Sequence, residues 1–272
     1  MADEANLKSV RLFAGRRDRF FEKFSEYGLD VSGAFLPGVD LCHANLEGAN
    51  FSGANLREAL LRHTELDSTD FVSADLSGAD FRGAYCSGAD FSGANLSSAR
   101  FQDCEVSEAN FSGANFTGVD LSSVVFVECN FSRARLIDAK GLPLSFEESV
   151  LHEVDLTGRN LSSLNFSKAD LSGCRLAGAV LVEAKLSGAI LNRADCSGVD
   201  FTGALMEGAC LKSTDLTGAI LRNVDLSGAD LVDANLDGAK LQGAYVDGTN
   251  FDDAVLPMIE SLLEHEVIRG YL

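Results

Sequence analysis

The chain has 272 residues, and 41 Asp and Glu against 22 Lys and Arg give a formal net charge of −19 at pH 7. A negative surplus of this size repels the phosphate backbone, so free nucleic acid is excluded as an expected partner. No uninterrupted apolar run is as long as a membrane-spanning helix requires, so we expect no membrane span.

Residues 1–30 differ from the rest of the chain in pattern. They carry as many acidic as basic residues, and Phe20, Phe21, Phe24 and Tyr27 recur at helical spacing. This pattern predicts an N-terminal helix that caps the domain behind it. A basic amphipathic helix directed to a membrane surface or a calmodulin-like partner is the open alternative. Because the N-terminus lacks an apolar signal core, we expect a cytoplasmic location.

A five-residue period begins at Val31. From Leu36 to Leu256, almost every fifth residue is Leu or Phe, and the residue two positions before it is usually Ala. We call the Leu or Phe the centre of its pentad. The period is neither that of a helix nor that of a simple strand, so it predicts a solenoid of short stacked repeats.

These residues resemble the pentapeptide-repeat family, whose pattern is Ala, then Asp or Asn, then Leu or Phe, then two variable residues. Residues 74–83 read Ala-Asp-Leu-Ser-Gly-Ala-Asp-Phe-Arg-Gly. The resemblance covers residues 31–256 and implies an all-β solenoid, a right-handed quadrilateral β-helix with four pentads per turn. Together with the helical patterns at the two ends of the chain, it predicts such a solenoid with short N- and C-terminal capping helices. It also implies that the centre and the small residue point inward, where they fill a narrow core.

A period of 20 residues follows if four pentads always make one turn. The centres at this spacing then include five consecutive phenylalanines: Phe51, Phe71, Phe91, Phe111 and Phe131. We predict that their rings stack inside the solenoid as a ladder, since offset aromatic pairs attract each other.

Two exceptions to the pattern lie close together. Gly141 occupies the position of a centre, and Arg159 occupies the small inward position before Leu161. Pro143 follows Gly141 and cannot donate a backbone hydrogen bond to a neighbouring strand. We therefore predict a kink or bulge near residues 140–145. Arg159 is expected either to turn outward or to enter the space that Gly141 leaves, and a functional pocket here is an open alternative.

Residues 257–272 follow the repeats and begin with Pro257, which suits a first helical turn. An apolar stripe predicts a helix, and its candidate contacts are Met258, Ile259, Leu262, Leu263 and Val267. This helix is expected to cap the solenoid, to pair two copies, or to do both. The resemblance implies a homodimer, because C-terminal segments pair two copies end to end in several family members.

No arrangement of residues predicts an enzyme. The sequence has no phosphate-binding Gly-Lys-Ser/Thr motif and no Gly-x-Gly-x-x-Gly that opens a helix. It also has no Cys-x-x-Cys pair, and its four histidines are scattered. We predict reduced cysteines that pack as small apolar residues, with no metal, disulfide framework or cofactor.

The negative charge is unevenly distributed among the four sides of the predicted solenoid, to which the outward residues are assigned by the period of 20. The side with centres at Leu46, Leu66 and every twentieth residue onward holds the largest surplus. Such a surface suits a partner protein with a basic surface. Its candidate interaction residues are Glu65, Asp67, Glu105, Glu108, Glu128, Glu147 and Glu148.

Two functions are consistent with these patterns. The first is a non-enzymatic acidic rod that serves as a protein–protein interaction or structural scaffold. The second is a DNA mimic that binds DNA gyrase, a type II topoisomerase, as similarity to the quinolone-resistance pentapeptide proteins implies. Those relatives have more degenerate repeats, some with projecting loops, so the uninterrupted repeats of this chain favour the first function.

Overall fold

The computed structural model describes residues 28–257. By its contacts the chain divides into two compact units, unit 1 up to Pro143 and unit 2 from Leu144, and each is described by itself. The helix predicted in residues 1–30 falls almost entirely outside the described residues. The predicted C-terminal contacts lie wholly outside them: Met258, Ile259, Leu262, Leu263 and Val267.

Most pentads are built around one tight turn. In the first turn of unit 1, the N–H of Ala34 donates to the carbonyl oxygen of Val31 at 3.0 Å. The third turn residue, Gly33, has φ of 66°, the positive value that a type II turn requires. The Asp30 carboxylate accepts a hydrogen bond from the N–H of Ser32 at 2.9 Å. Asp or Asn therefore precedes so many centres because its side chain satisfies a turn N–H that has no backbone partner.

Successive turns stack in parallel with a spacing of 20 residues. Glu65 forms a bridge with Tyr85 in unit 1, and Lys185 forms one with Leu205 in unit 2. The N–H of Leu66 donates to the carbonyl oxygen of Tyr85 at 2.8 Å, and equivalent bonds recur in both units. One turn of each unit thus holds four pentads, as the period predicted.

Extended pairing is longest in two short strands of unit 1. Strand β1 comprises Glu105–Ser107 and strand β2 comprises Val125–Val127; they pair in parallel with Glu105 opposite Val125. Elsewhere in residues 28–257, strand pairing consists of isolated bridges, because a turn interrupts the backbone in every pentad.

The core consists of the centres and the small residues, as predicted. Centres such as Phe91 and small residues such as Ala89 are fully buried. The predicted ladder of phenylalanines is confirmed: ring centroids of the successive pairs lie 5.4, 5.0, 4.9 and 5.2 Å apart with interplanar angles of 6–15°. Each stacked pair adds about 0.5–1.5 kcal/mol to what burial contributes.

The spacing of 20 changes at Gly141. Asp120 bridges to Gly141 rather than to Lys140, so this contact spans one residue more than the others. Pro143 is buried there instead of the residue at the centre position, while Leu144 is 74% exposed. The five-residue pattern of the sequence continues through this segment, but the backbone stacking shifts by one residue. The shift is possible because Gly141 has no side chain to hold the inward position. Arg159 is half-buried in unit 2.

Candidate functional site

The seven predicted interaction residues fall into two groups. Glu65, Asp67, Glu105, Glu108 and Glu128 belong to unit 1, while Glu147 and Glu148 belong to unit 2. We name the five residues of unit 1 the acidic surface.

The acidic surface is built on a column of outward-facing residues. Parallel bridges join Asn45 to Glu65, Glu65 to Tyr85 and Tyr85 to Glu105, and the strand register places Glu105 opposite Val125. Adjacent residues in such a column are about 4.8 Å apart. The solenoid therefore brings together side chains that are 20 or 40 residues apart in sequence.

The acidic surface lacks compensating positive charge. Its five pentads, residues 45–49, 65–69, 85–89, 105–109 and 125–129, contain six acidic residues and no Lys or Arg. Among the described residues, no salt bridge involves Glu65, Glu105, Glu108 or Glu128, and all four side chains are exposed. These carboxylates are free to accept hydrogen bonds from a cationic partner.

Asp67 has a different role within the acidic surface. Its Oδ1 accepts a hydrogen bond from the N–H of Ser87 at 2.8 Å, and the residue is half-buried. The Ser87 hydroxyl in turn lies 2.9 Å from the hydroxyl of Ser107, which is 20 residues further along the chain. Asp67 therefore joins neighbouring turns and adds negative charge to the surface without projecting from it.

Two of the glutamates occupy a backbone conformation that usually favours glycine. Glu108 and Glu128 both have φ of 54°, whereas Gly48 and Gly88 occupy the same turn position in other coils of unit 1. A left-handed conformation costs a residue with a Cβ about 1–2 kcal/mol. The chain thus carries exposed carboxylates at a turn position where glycine is the less strained residue, as it also does at Glu58 and Glu183.

Glu147 and Glu148 in unit 2 already have partners. A carboxylate oxygen of Glu147 accepts a hydrogen bond from the Asn165 side-chain amide at 2.9 Å. Glu148 forms an ion pair with the Lys168 ammonium at 2.7 Å. Their charge is therefore less available to a partner than that of the acidic surface.

Sequence reasoning missed apolar side chains that lie among the acids of unit 1. Tyr85 is 46% exposed, Val125 is 64% exposed and Val127 is 46% exposed. On β2 the central Phe126 is buried, so both flanking valines face outward. An apolar residue at an outward pentad position, sorted by the period of 20, is the sequence signal that would have revealed them.

A cluster of arginines lies at a different set of outward positions in unit 1. The nearly buried Asp80 carboxylate receives two hydrogen bonds of 2.8 Å from Arg82. Arg62 and Arg100 lie 3.8 and 3.9 Å from the same carboxylate. The hydrogen-bonded Arg82 guanidinium holds the pKa of Asp80 below its ordinary value. This cluster therefore stabilises a turn position.

The cysteines lie within the repeats as free thiols. Burial raises the pKa of the Cys129 thiol to about 11 and that of Cys174 to about 12. A hydrogen bond with Cys104 raises the pKa of the buried Cys86 thiol. Thiols in this state are poor nucleophiles and poor metal ligands at neutral pH.

Residues 28–257 contain neither a metal-binding cluster nor a membrane-spanning helix. Within that range, no cluster of three or more His, Cys, Asp or Glu side chains is arranged to hold a metal ion. Nor does that range contain a helix with the length and apolar character needed to cross a bilayer.

Comparison with known proteins gives a consistent family match. A family model described as pentapeptide repeats matches in eight copies, over residues 28–62, 74–113, 104–140, 145–178, 179–218 and 219–256. No curated protein matches the chain.

Several solved structures are similar to the chain. One is HetL from the cyanobacterium Nostoc sp. strain PCC 7120, a pentapeptide repeat protein involved in heterocyst differentiation regulation; it is 28% identical over 84% of this chain and 91% of that chain, with a TM-score of 0.35. A pentapeptide repeat protein from the Arabidopsis thaliana thylakoid lumen is 28% identical over 41% of this chain and 78% of that chain, with a TM-score of 0.39. QnrB1, a plasmid-mediated fluoroquinolone resistance protein, is 22% identical over 80% of this chain and 93% of that chain, with a TM-score of 0.26.

Proposed function

The chain belongs to the pentapeptide-repeat family, and we propose that it is a non-enzymatic interaction scaffold whose acidic surface binds a basic face of a partner protein. One observation carries the proposal. Five stacked pentads of unit 1 present six acidic residues, no basic residue and, among the described residues, no salt bridge to Glu65, Glu105, Glu108 or Glu128.

Electrostatics of this kind favours association more than folding. Exposed like charges in neighbouring turns repel one another, so they contribute nothing favourable to the stability of the free protein. A basic partner removes that repulsion and is steered towards the surface at long range. Binding should weaken with salt, because the Debye length falls from about 10 Å at 0.1 M to about 3 Å at 1 M.

DNA mimicry directed at DNA gyrase is the second candidate, and the spacing of charge favours it less. Along the column, Glu65 and Glu105 are separated by Tyr85, which places them about 10 Å apart. One strand of DNA carries a charge every 3.4 Å or so. The apolar Val125 and Val127 also have no counterpart in a phosphate backbone. A gyrase supercoiling assay with and without the protein distinguishes the two candidates.

Three further expectations from the sequence are part of the proposal. The solenoid is right-handed and quadrilateral, and helices cap its two ends. The protein acts in the cytoplasm. Two copies associate through residues 257–272. Light scattering tests this association, because a truncation that ends at Val255 should then be a monomer or an aggregate. A full-length protein that is monomeric at high concentration would limit the segment to a capping role.

The decisive experiment is a quantitative capture of proteins from a cell lysate with matched variants. Glu108→Lys/Glu128→Lys reverses two charges of the acidic surface. Glu58→Lys/Glu183→Lys makes the same change at two other exposed turn positions, both with φ of 57°. Lysine tolerates this backbone conformation, since Lys168 already has φ of 57°.

The proposal predicts that the wild type and the Glu58→Lys/Glu183→Lys variant retain the same basic proteins. The Glu108→Lys/Glu128→Lys variant should lose them, and salt should release them from the wild type. Equal retention by both variants would show that the acidic surface is not the binding site.

A further inference from the structure

The acidic surface alternates in character along its column. Glu65 is followed by the aromatic Tyr85, then by Glu105, then by the apolar Val125. All four side chains are exposed, with Tyr85 at 46% and Val125 at 64%. Charged and apolar groups thus succeed each other at steps of about 4.8 Å.

Exposed apolar groups within an acidic surface indicate a partner that carries apolar side chains as well as positive charge. A polycation would pair with the glutamates and leave Tyr85 and Val125 in water. A partner that also buries those side chains gains the hydrophobic contribution. The complementary surface therefore has positive and apolar groups in the same alternating order.

We infer that the partner presents an α-helix to the acidic surface, with Lys or Arg alternating with apolar side chains at successive turns of one stripe. The inference rests on the proposed function and deepens it. The segment that binds the acidic surface belongs to a basic protein and is identified by its charge and by the spacing of its side chains.

The spacing favours a helix over an extended segment. From Glu65 to Val125 the column advances three steps, or about 14 Å. Three turns of an α-helix advance about 16 Å. Three same-side steps of a β-strand advance about 20 Å, so a strand laid along the column would be out of register by its last step.

The helix is also expected to have a preferred direction. Val127 lies beside Val125 on β2 and is 46% exposed, so the apolar area is widest at that end of the column. Glu65 lies at the opposite end. A bulky apolar residue of the partner should therefore pack over β2, and a basic residue should lie over Glu65.

Designed peptides test this inference without knowledge of the natural partner. The stripe peptide is a labelled helix with Lys, Leu, Lys and Leu at successive turns of one stripe, and Ala and Gln elsewhere. The shuffled peptide has the same composition, with its lysines and leucines on opposite sides of the helix. Fluorescence anisotropy reports the binding of each peptide to the full-length protein.

Two double variants separate the apolar contribution from the charge. Tyr85→Ser/Val125→Ser removes the apolar groups and leaves every glutamate in place. Leu205→Ser/Tyr245→Ser is the matched control, because these residues are 46% and 64% exposed in the equivalent column of unit 2. All four positions are outward, so circular dichroism should give the same melting curve for each variant as for the wild type.

The stripe peptide should bind the wild type about tenfold more tightly than the shuffled peptide does. Tyr85→Ser/Val125→Ser should remove that difference, and Leu205→Ser/Tyr245→Ser should preserve it. Failure of the stripe peptide to bind, or equal binding of the two peptides, would overturn the inference.

The proposed function is judged separately in the same assay. If both peptides bind equally and both are lost with Glu108→Lys/Glu128→Lys, the helical partner is wrong and the acidic surface remains the binding site. If neither peptide responds to those reversals, the acidic surface itself is not the site.

Discussion

The Asp80 carboxylate accepts two hydrogen bonds from the Arg82 guanidinium: Nε donates to Oδ1 at 2.8 Å, and Nη2 donates to Oδ2 at 2.8 Å. The Asp80 side chain is 7% exposed, and Arg62 and Arg100 approach it from the neighbouring turns. A carboxylate so far from water depends on these cations, because an unpaired buried charge is costly.

Asp80→Asn should therefore destabilise the protein by about 2–3 kcal/mol, the contribution expected of hydrogen bonds to a charged group. Asparagine keeps one oxygen and replaces the other with an NH2 group, so the substitution removes the charge and one of the two acceptors of the Arg82 hydrogen bonds. Asp230→Asn is the matched control, because the Asp230 side chain is 32% exposed whereas that of Asp80 is 7% exposed, and it should change the free energy of unfolding by less than about 1 kcal/mol. Urea unfolding at pH 7 measures both; equal effects would contradict this account.

The contribution of Asp80 should also depend on pH. Because its pKa is lowered in the folded state, its stabilising effect is fully present above the ordinary carboxyl pKa. It is lost as the pH falls through the lowered, folded-state pKa. The difference in unfolding free energy between the wild type and Asp80→Asn should therefore shrink in acid. A difference that stays constant down to strongly acidic pH would show that Asp80 acts through packing.

Glu128→Gly should raise stability while it weakens partner binding. Glycine relieves about 1–2 kcal/mol of left-handed strain and adds about 0.5–1 kcal/mol of conformational entropy cost, so the net gain is up to about 1.5 kcal/mol. Glu58→Gly has the same starting conformation and should gain as much stability without affecting the binding of the stripe peptide. Thermal melting and anisotropy test the pair, and a loss of stability in Glu128→Gly would refute the strain argument.

The inward positions of the repeats should resist changes of volume in both directions. Ala89→Leu should overpack a fully buried site and cost about 1–3 kcal/mol. Phe91→Ala should cost about 3–5 kcal/mol, because the ring stacks on Phe71 and Phe111. Chemical denaturation gives both values. An unchanged melting temperature in Ala89→Leu would argue against the inward assignment.

Thiol labelling should divide the cysteines by burial. In the native protein at mildly alkaline pH, iodoacetamide should modify only the half-exposed Cys42 and Cys210 among the seven cysteines. Cys129 and Cys174 should react only after denaturation, because they are buried and their pKa values are raised to about 11 and about 12. Mass spectrometry counts the adducts, and rapid native labelling of Cys174 would show that its turn opens.

The sequence was sufficient to predict the register and the core. The resemblance to the pentapeptide-repeat family implies which residues of each pentad point inward, and the phenylalanine ladder could be predicted because Phe51, Phe71 and their successors share the period of 20. The acidic surface followed from the same sorting. The partners of Glu147 and Glu148 did not follow, because side-chain pairing depends on rotamers that the period does not specify.

The remaining features depend on details that a repeating pattern conceals. The one-residue shift at Gly141 arises because the backbone can bulge where no side chain holds the inward position. Val125 and Val127 satisfy the strand preference of β2, and only their outward pentad positions distinguish them in the sequence from residues of the core. The buried Asp80 was hidden because Asp is also the ordinary turn residue of the repeat.

Zero-length carbodiimide crosslinking of the protein to its captured partner tests the central claim most directly, because it joins a carboxylate only to an amine in contact with it. At low salt, mass spectrometry should find links from partner lysines at Glu65, Glu105, Glu108 and Glu128. The same links should disappear above about 0.5 M salt as screening shortens the reach of each charge. Links that concentrate on carboxylates of unit 2, or that ignore salt, would contradict the assignment of the acidic surface as the binding site.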